Sequence, residues 1–486
     1  MNRKVTVLLM LLSLIIGVGG TYSLLQLTSA EMANGGDVIS LPVATIDKDA
    51  DMSNEDLAKI EQVYKLLATQ YVEDIDEQEL IEGAINGMIE QLEDPFSSYM
   101  DEETAASFSQ NLSSTFEGIG AEVSMVDGLV TIVAPYKDSP AEKAGLKPND
   151  QILSVDGESI AGLDLYEAVL KIRGEKGSTV TLEIKRPGVT EPLMVDVVRD
   201  EIPIETVYSD LKEYEGKKVG YIEIALFSEK TSEDFFKQLK ELEKQKIDGL
   251  VIDVRGNPGG YLQSVEAILR ELVPKDKPML QIEDRNGETQ RFFTNLEEKK
   301  PYPIVSLIDE GSASASEILS SALKEAVGYD VVGTSSFGKG TVQQTVPMDD
   351  GSEVKLTMFK WLTSDGNWIH KTGVEPTVEI KQPDYFYVSP IQLNENEVLA
   401  YDQTSEKVVA LQKMLSGLGY GPGREDGYFS EETKTAVEAF QKANDLPMTG
   451  KVDEQTAVKL ETKIIERIRS EESDLQLQTA LKVLFK

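Results

Sequence analysis

Ser314 and Lys339 are the residues best placed to do chemistry. The first stands in Gly311-Ser312-Ala313-Ser314-Ala315-Ser316-Glu317, the second in Ser336-Phe337-Gly338-Lys339-Gly340-Thr341-Val342-Gln343. A serine hydroxyl is a weak nucleophile until a base takes its proton. The chain has a single histidine, His370, so the commonest base has one candidate. Lysine can replace it if burial lowers its pKa until it is neutral near working pH. Lys339, between two glycines and beside Phe337, is the lysine best suited to that. The glycines allow close backbone packing, and the ring should keep water away. The apolar run from Ile304 to Ile308 reads as a buried strand, and Ile318-Leu319, Ala322-Leu323 and Ala326-Val327 read as a helix. A serine at such a strand-to-helix turn presents its hydroxyl out of the sheet, next to helix-start N–H groups that can hold an oxyanion.

The same residues have plainer readings. Ser314 and Glu317 fit the S-x-x-E capping box, which would make the serine structural. Gly333 to Gly340 nearly spells a phosphate-binding loop, but Gly340 stands where Ser or Thr is needed, and Thr341 to Val346 alternates like a strand where that loop requires a helix. His370, in Trp368-Ile369-His370-Lys371, alternates like a strand residue and leaves a Ser–His arrangement open.

Composition narrows the classes. A 486-residue chain with 40% apolar residues has room for three or more domains. The net charge of −37 argues against binding nucleic acid through phosphates. With no cysteine and one histidine, disulfides, a cysteine nucleophile, and cysteine- or histidine-rich metal sites are excluded.

The pair S-A-S-A-S-E and F-G-K-G-x-V-Q, with Ser314 and Lys339 25 residues apart, resembles the C-terminal processing peptidases of family S41, Ser–Lys proteases that carry a PDZ domain. The likeness runs over roughly residues 55–380. It implies a layered α/β (ClpP/crotonase-like) protease core with Ser314 as nucleophile, Lys339 as general base and Gln343 orienting the lysine. It also implies an oxyanion hole from the Ala315 N–H and a glycine of Arg255-Gly256-Asn257-Pro258-Gly259-Gly260, Gly260 being favoured over Gly259. No metal and no cofactor are expected.

The remaining elements must position that site. Arg3 and Lys4 precede an apolar run from Val5 to Gly20, extended by Leu24, Leu25 and Leu27, so residues 1–30 read as a signal peptide or a membrane anchor. Residues 31–53 form an acidic tether. Asp47, Asp49 and Asp51 mimic a calcium loop, but Met52 and Ala58 stand where its Gly and Glu are needed. Residues 54–113 read as a helical segment with too little core to stand alone. The corresponding segment in the resembling family takes part in dimerisation, so a homodimer is expected.

Residues 114–200 resemble an inserted PDZ domain. Gly118, Ile119, Gly120 and Ala121 would be the loop that holds a peptide's terminal carboxylate beside an open strand edge. Arg173, which ends the helix Tyr166 to Ile172, is placed either to contact the protease core or to complement the helix dipole.

Residues 201–385 alternate strand and helix, as a layered α/β domain does. The glycine-rich loop at 255–260 ends a strand, where α/β folds hold their sites. A linker follows at 386–400. Residues 401–462 read as three helices resembling a peptidoglycan-binding domain, and 463–486 as a helical tail. The whole chain reads as a multidomain α/β protein. It is expected to be an exported serine endopeptidase, membrane-anchored or secreted to the cell envelope, that takes protein C-terminal tails, with peptidoglycan as a further partner. The alternative is a catalytically silent envelope scaffold built from the same binding domains.

Overall fold

In the computed structural model, Ile39, Leu41 and residues 52–486 are described, apart from 113–114, 127, 137, 164, 188 and 395–396. The signal or anchor expected at 1–30 and the calcium-like run lie outside them. Among the described residues no helix is long and apolar enough to cross a membrane.

The unit that carries Ser314 and Lys339 is built on a six-stranded sheet. In spatial order its strands are Val207–Tyr214, Lys217–Ile224, Gly249–Asp253, Ile304–Ile308, Asp330–Gly333 and Val378–Glu379, all parallel after the first pair. The central strands are apolar along their length because both faces are covered. Leu250, Ile252, Ile304 and Ile308 face one core, with the helices Thr231–Lys244, Leu262–Arg270 and Ala315–Ala322. Val251, Val305, Leu307 and Val332 face the other way, onto Leu477, Ala480, Leu481 and Leu484 of the C-terminal helix Leu475–Leu484. The tail thus forms the outer layer of this sheet. Burying its four large side chains, Leu477, Leu481, Val483 and Leu484, is worth roughly 6–12 kcal/mol.

A second sheet of five strands lies across the three helices. Its long strand Glu353–Leu362 pairs with Thr341–Pro347 on one side and with Ser98–Met100 from the N-terminal segment, Ser98 opposite Lys355. The N-terminal segment is thereby stitched to the unit that carries Ser314 and Lys339. The helices before that strand, Asn54–Gln70 and Glu77–Glu90, contain no buried residue, and Leu57, Ile60, Val63 and Leu67 are exposed along the first.

The PDZ-like unit has its own core around Ile132, Ile152, Leu182 and Val197, and a sheet in which Ala121–Val126 is the edge strand. A ladder between Thr115–Gly118 and Asp200–Pro203 joins it to the rest. The helices Glu406–Gly417, Glu431–Ala443 and Glu454–Ile468 enclose a third core. Their buried amides Gln412 and Gln441 bind the turns at Gly427 and Gly450. The last of these helices runs past 462, and the expected linker is packed: Ile391 and Leu399 belong to that core.

Candidate active site

Ser314 sits at the junction of the strand Ile304–Ile308 and the helix Ala315–Ala322. It pairs with Glu317 as at a helix cap, its N–H donating to Glu317 Oε2 at 2.7 Å while the Glu317 N–H donates to the Ser314 carbonyl oxygen at 2.9 Å. Its backbone is nonetheless unlike that of an ordinary cap. The capping serines Ser53, Ser405 and Ser430 are extended, as N-caps usually are. Ser314 has φ 54° and ψ −111°, a strained turn of the kind that clusters at functional sites.

The loop carrying Lys339 is held against the same carboxylate. Glu317, with no exposed surface, accepts from Ser336 Oγ and Gly338 N at 2.6 Å each through Oε1, and from Lys339 N at 2.8 Å through Oε2. One buried anion thus fixes the backbone of both Ser314 and Lys339. Sequence pattern suggested Glu317 only as a capping residue. The four donors, together with its place in the first turn of a helix, offset the cost of burying its charge.

The two glycines beside Lys339 do allow close packing. A Cβ on Gly338 would meet Gly373 N at 2.9 Å, and one on Gly340 would meet His370 N at 2.8 Å. Phe337 does not shield the lysine, because it points outward and is 56% exposed. The shielding ring is Phe96 of the N-terminal segment, whose centroid lies 4.9 Å from Lys339 Nζ. Burial pushes the Lys339 amine below its ordinary value and Lys355 adds to that, while Asp94 and Glu317 oppose it.

Ser314, Ala315, Lys339, Gln343, Gly259 and Gly260 line one cleft. The amide nitrogen of Gln343 donates to Thr341 Oγ1 and Thr357 Oγ1, both at 3.0 Å, and none of the side chain's described hydrogen bonds reaches Lys339. His370 lies outside that cleft, lining a neighbouring cavity with Phe337 and Gly338. Its ring stacks on Trp368, centroids 5.0 Å apart, and its buried Nδ1 has no hydrogen-bond partner among the described residues.

The loop Arg255–Gly260 approaches the serine from the neighbouring strand. Asn257, wholly buried, donates to Ile224 O, accepts from Gly259 N at 2.8 Å, and takes Ala313 N and Ser316 Oγ on its carbonyl. The Gly259 N–H is therefore spent inside the loop, whereas those of Gly260 and Ala315 have no acceptor among the described residues. Neither glycine has room for a side chain. A Cβ on Gly259 would come within 2.8 Å of Ser314 Cβ, and one on Gly260 within 2.0 Å of Phe227 O.

In the PDZ-like unit, Gly118 ends its strand, Ile119 is buried, Ala121 opens the edge strand, and Gly120 has φ 72° with Ser139 against its Cα. The Arg173 guanidinium rests over the Phe116 ring at 5.0 Å. The end of its helix is capped instead by the buried Arg199, which donates to Ile172 O at 2.8 Å and Lys171 O at 3.3 Å.

Comparison with known proteins agrees with this architecture. The family model for peptidase family S41 matches residues 218–380, a PDZ domain residues 118–197, and a peptidoglycan binding domain residues 404–460. The model of the activating protease CtpB N-terminal domain matches residues 14–104. These define a serine-type peptidase of family S41 with two binding modules. Over 485 residues, covering all of both chains, this chain is 54% identical to the carboxy-terminal processing protease CtpB of Bacillus subtilis. It is 39% identical to that organism's carboxy-terminal processing protease CtpA over 90% of this chain and 92% of the relative. Among solved structures, the photosystem II D1 C-terminal processing protease is 28% identical over 68% of this chain and 94% of its own, with a TM-score of 0.40. The chain belongs to the carboxy-terminal processing proteases. It is an enzyme, and the silent-scaffold reading falls away.

Proposed function

We propose that the chain cleaves peptide bonds by a Ser–Lys mechanism in which Ser314 attacks the scissile carbonyl and Lys339 takes its proton. The Ala315 and Gly260 N–H groups would hold the tetrahedral oxyanion. The lysine ammonium then gives its proton to the leaving amine, and water, deprotonated by the same neutral lysine, hydrolyses the acyl-enzyme. The observation that carries this reading is the Glu317 carboxylate, which ties the strained serine and the half-buried lysine to one point. Gln343 acts at a distance, stiffening the strand after the lysine through Thr341 and Thr357. Removing one oxyanion donor costs about 2.7–4 kcal/mol in such sites.

The PDZ-like unit supplies protein substrates by adding their C-terminal tails to the open Ala121–Val126 edge, the carboxylate on the Gly118–Ala121 loop. The N-terminal apolar run supports export and a place in the cell envelope, anchored if the run is retained. The peptidoglycan-binding module supports a wall contact. The exposed apolar stripe at Leu57, Ile60, Val63 and Leu67 is suited to a second copy of the chain, hence a homodimer.

The test is cleavage of fluorescein-labelled casein by the chain from residue 45 onward, comparing wild type, Ser314→Ala, Lys339→Ala and His370→Ala. Loss in the first two variants with retention in the third supports the mechanism. Activity surviving Ser314→Ala ends it.

A further inference from the structure

The loop that carries Gly260 begins at Arg255, and Arg255 is gripped by the far end of the chain. Its Nε donates to both Asp253 oxygens at 2.9 and 3.0 Å, and Nη2 to Asp253 Oδ2 at 2.6 Å. The other edge of the fork meets the C-terminal tail. Nη1 donates to Asp474 Oδ1 at 2.9 Å and to Gln476 Oε1 at 3.0 Å, and Nη2 to Asp474 Oδ2 at 2.8 Å. All five guanidinium N–H groups are thereby used.

Asp474 also closes the chain on itself. Gln382, where the chain leaves the protease sheet, donates through Nε2 to Asp474 Oδ1 at 2.6 Å and accepts from Leu475 N at 3.0 Å. Gln476 Nε2 donates to Ile380 O at 3.0 Å. Residues 383–473, with the whole three-helix module, therefore form an excursion whose two ends meet at the carboxylate that grips Arg255.

We propose that Asp474 is a positioning residue for proteolysis, acting through Arg255 to fix the loop that presents the Gly260 N–H to the nucleophile. The inference rests on the oxyanion role given to that loop above. Gly256, Gly259 and Gly260 have φ of 65°, 105° and 137°, values that favour glycine, and the Asn257 hydrogen bonds hold the middle of the loop while Arg255 stands at its root. A bidentate arginine–carboxylate pair at its root supplies direction. A buried ion pair is a poor source of stability, and the apolar face of the Leu475–Leu484 helix supplies that separately. Asp474, at the start of that helix, is thus coupled to the chemical step, whereas the helix's apolar face serves the fold.

The test uses the full chain in detergent, with fluorescein-labelled casein as substrate. Asp474→Asn keeps the helix cap, because asparagine caps as well as aspartate, and removes the charge and one acceptor from Arg255. The expected result is a fall in kcat of about 10- to 100-fold with KM within about twofold, as for an interaction felt mainly in the transition state. Leu481→Ala, on the same helix but away from Arg255, should lower Tm and leave kcat unchanged well below that Tm. Wild-type kcat in folded Asp474→Asn overturns the proposal, and so does an equal loss in Leu481→Ala. Should Asp474→Asn fail to fold, Gln476→Leu removes one Arg255 partner and must lower kcat at unchanged KM; an unchanged kcat overturns the proposal as well. Ser314→Ala separates the two levels: activity surviving there ends the mechanism itself, whereas its loss alongside a fully active Asp474→Asn ends only the clamp.

Discussion

Glu317→Gln is the sharpest perturbation of the site, because one atom is exchanged in a carboxylate that holds both loops. The amide can keep a single acceptor oxygen. Its least damaging pose keeps oxygen at the Oε2 position, retaining the Ser314 and Lys339 N–H groups, and puts NH2 at Oε1. There it faces the Gly338 N–H as donor against donor. The Ser336 hydroxyl, whose oxygen already accepts from Val374 N at 2.6 Å, would have to take the new N–H on its remaining lone pair and turn its own proton away. One charge-assisted bond lost, one buried N–H left unmet and the retained bonds weakened come to roughly 3–6 kcal/mol. Tm should fall by roughly 10–20 °C. Misplacing Lys339 by about 1 Å should lower kcat/KM at least 100-fold at 25 °C.

The pH profile gives this variant a second, independent signature. On the proposed mechanism Lys339 works as the neutral amine, so activity should rise with pH through its pKa in the free enzyme. Glu317 raises that pKa, so its removal lowers it, and the acid limb of kcat/KM moves to lower pH. Differential scanning fluorimetry and casein cleavage across pH 5–10 measure both effects. A variant with wild-type Tm and rate, or an acid limb displaced upward, refutes the reasoning.

The same balance makes a paired prediction. Lys355→Gln removes a like charge from Lys339 and should move the acid limb up, whereas Asp94→Asn should move it down; shifts of one sign for both would contradict the assignment of Lys339. Gly260→Ala forces a Cβ into Phe227 O and should cost at least about 100-fold in kcat, read at a temperature where circular dichroism shows the fold intact. Leu481→Ala should destabilise by about 2–5 kcal/mol and lower Tm by roughly 5–15 °C in the same fluorimetric assay. Leu57→Asp with Ile60→Asp should turn a dimer into a monomer in sedimentation velocity, and a wild-type chain already monomeric at micromolar concentration would dispose of that interface.

The sequence was legible wherever a local pattern had a local cause. The apolar run Ile304–Ile308, the helix after Ser314 and the alternation of strands and helices from Val219 to Ile308 follow from periodicity, and the structure places them within a residue or two. Gly338 and Gly340 were readable as points of close approach. What stayed hidden depended on contacts between distant segments. Glu317 reads as a cap in any single-chain window, because its partners Ser336, Gly338 and Lys339 lie some twenty residues on. Phe337 was the obvious shield by adjacency, yet Phe96 performs that task across the sheet pairing of Ser98 with Lys355. The tail looked uninformative because its apolar face has no partner within its own stretch of sequence; its partners are Val251, Val305 and Val332, on largely apolar strands that called for a cover on both faces.

That pattern of long-range partners bears on what counts as the catalytic unit. The peptidase family match begins at residue 218, yet part of the surroundings of Lys339 comes from outside it. Asp94 and Phe96 come from the N-terminal segment, and the strand carrying Lys355 also carries that segment through Ser98–Met100. Lifting that segment would take away Phe96, letting water reach the amine and raise its pKa, and Asp94, whose loss lowers it. The two act in opposite directions, and burial as a whole is the leading cause of the downward shift. A lysine base therefore makes the site conditional on its surroundings in a way a histidine base would not be. A histidine is already half neutral near pH 6.5 without help, whereas a solvated lysine at pH 7 is neutral in roughly one molecule in two thousand. On the proposed mechanism, Phe96 and Asp94 thus tie the N-terminal segment to the state of the base.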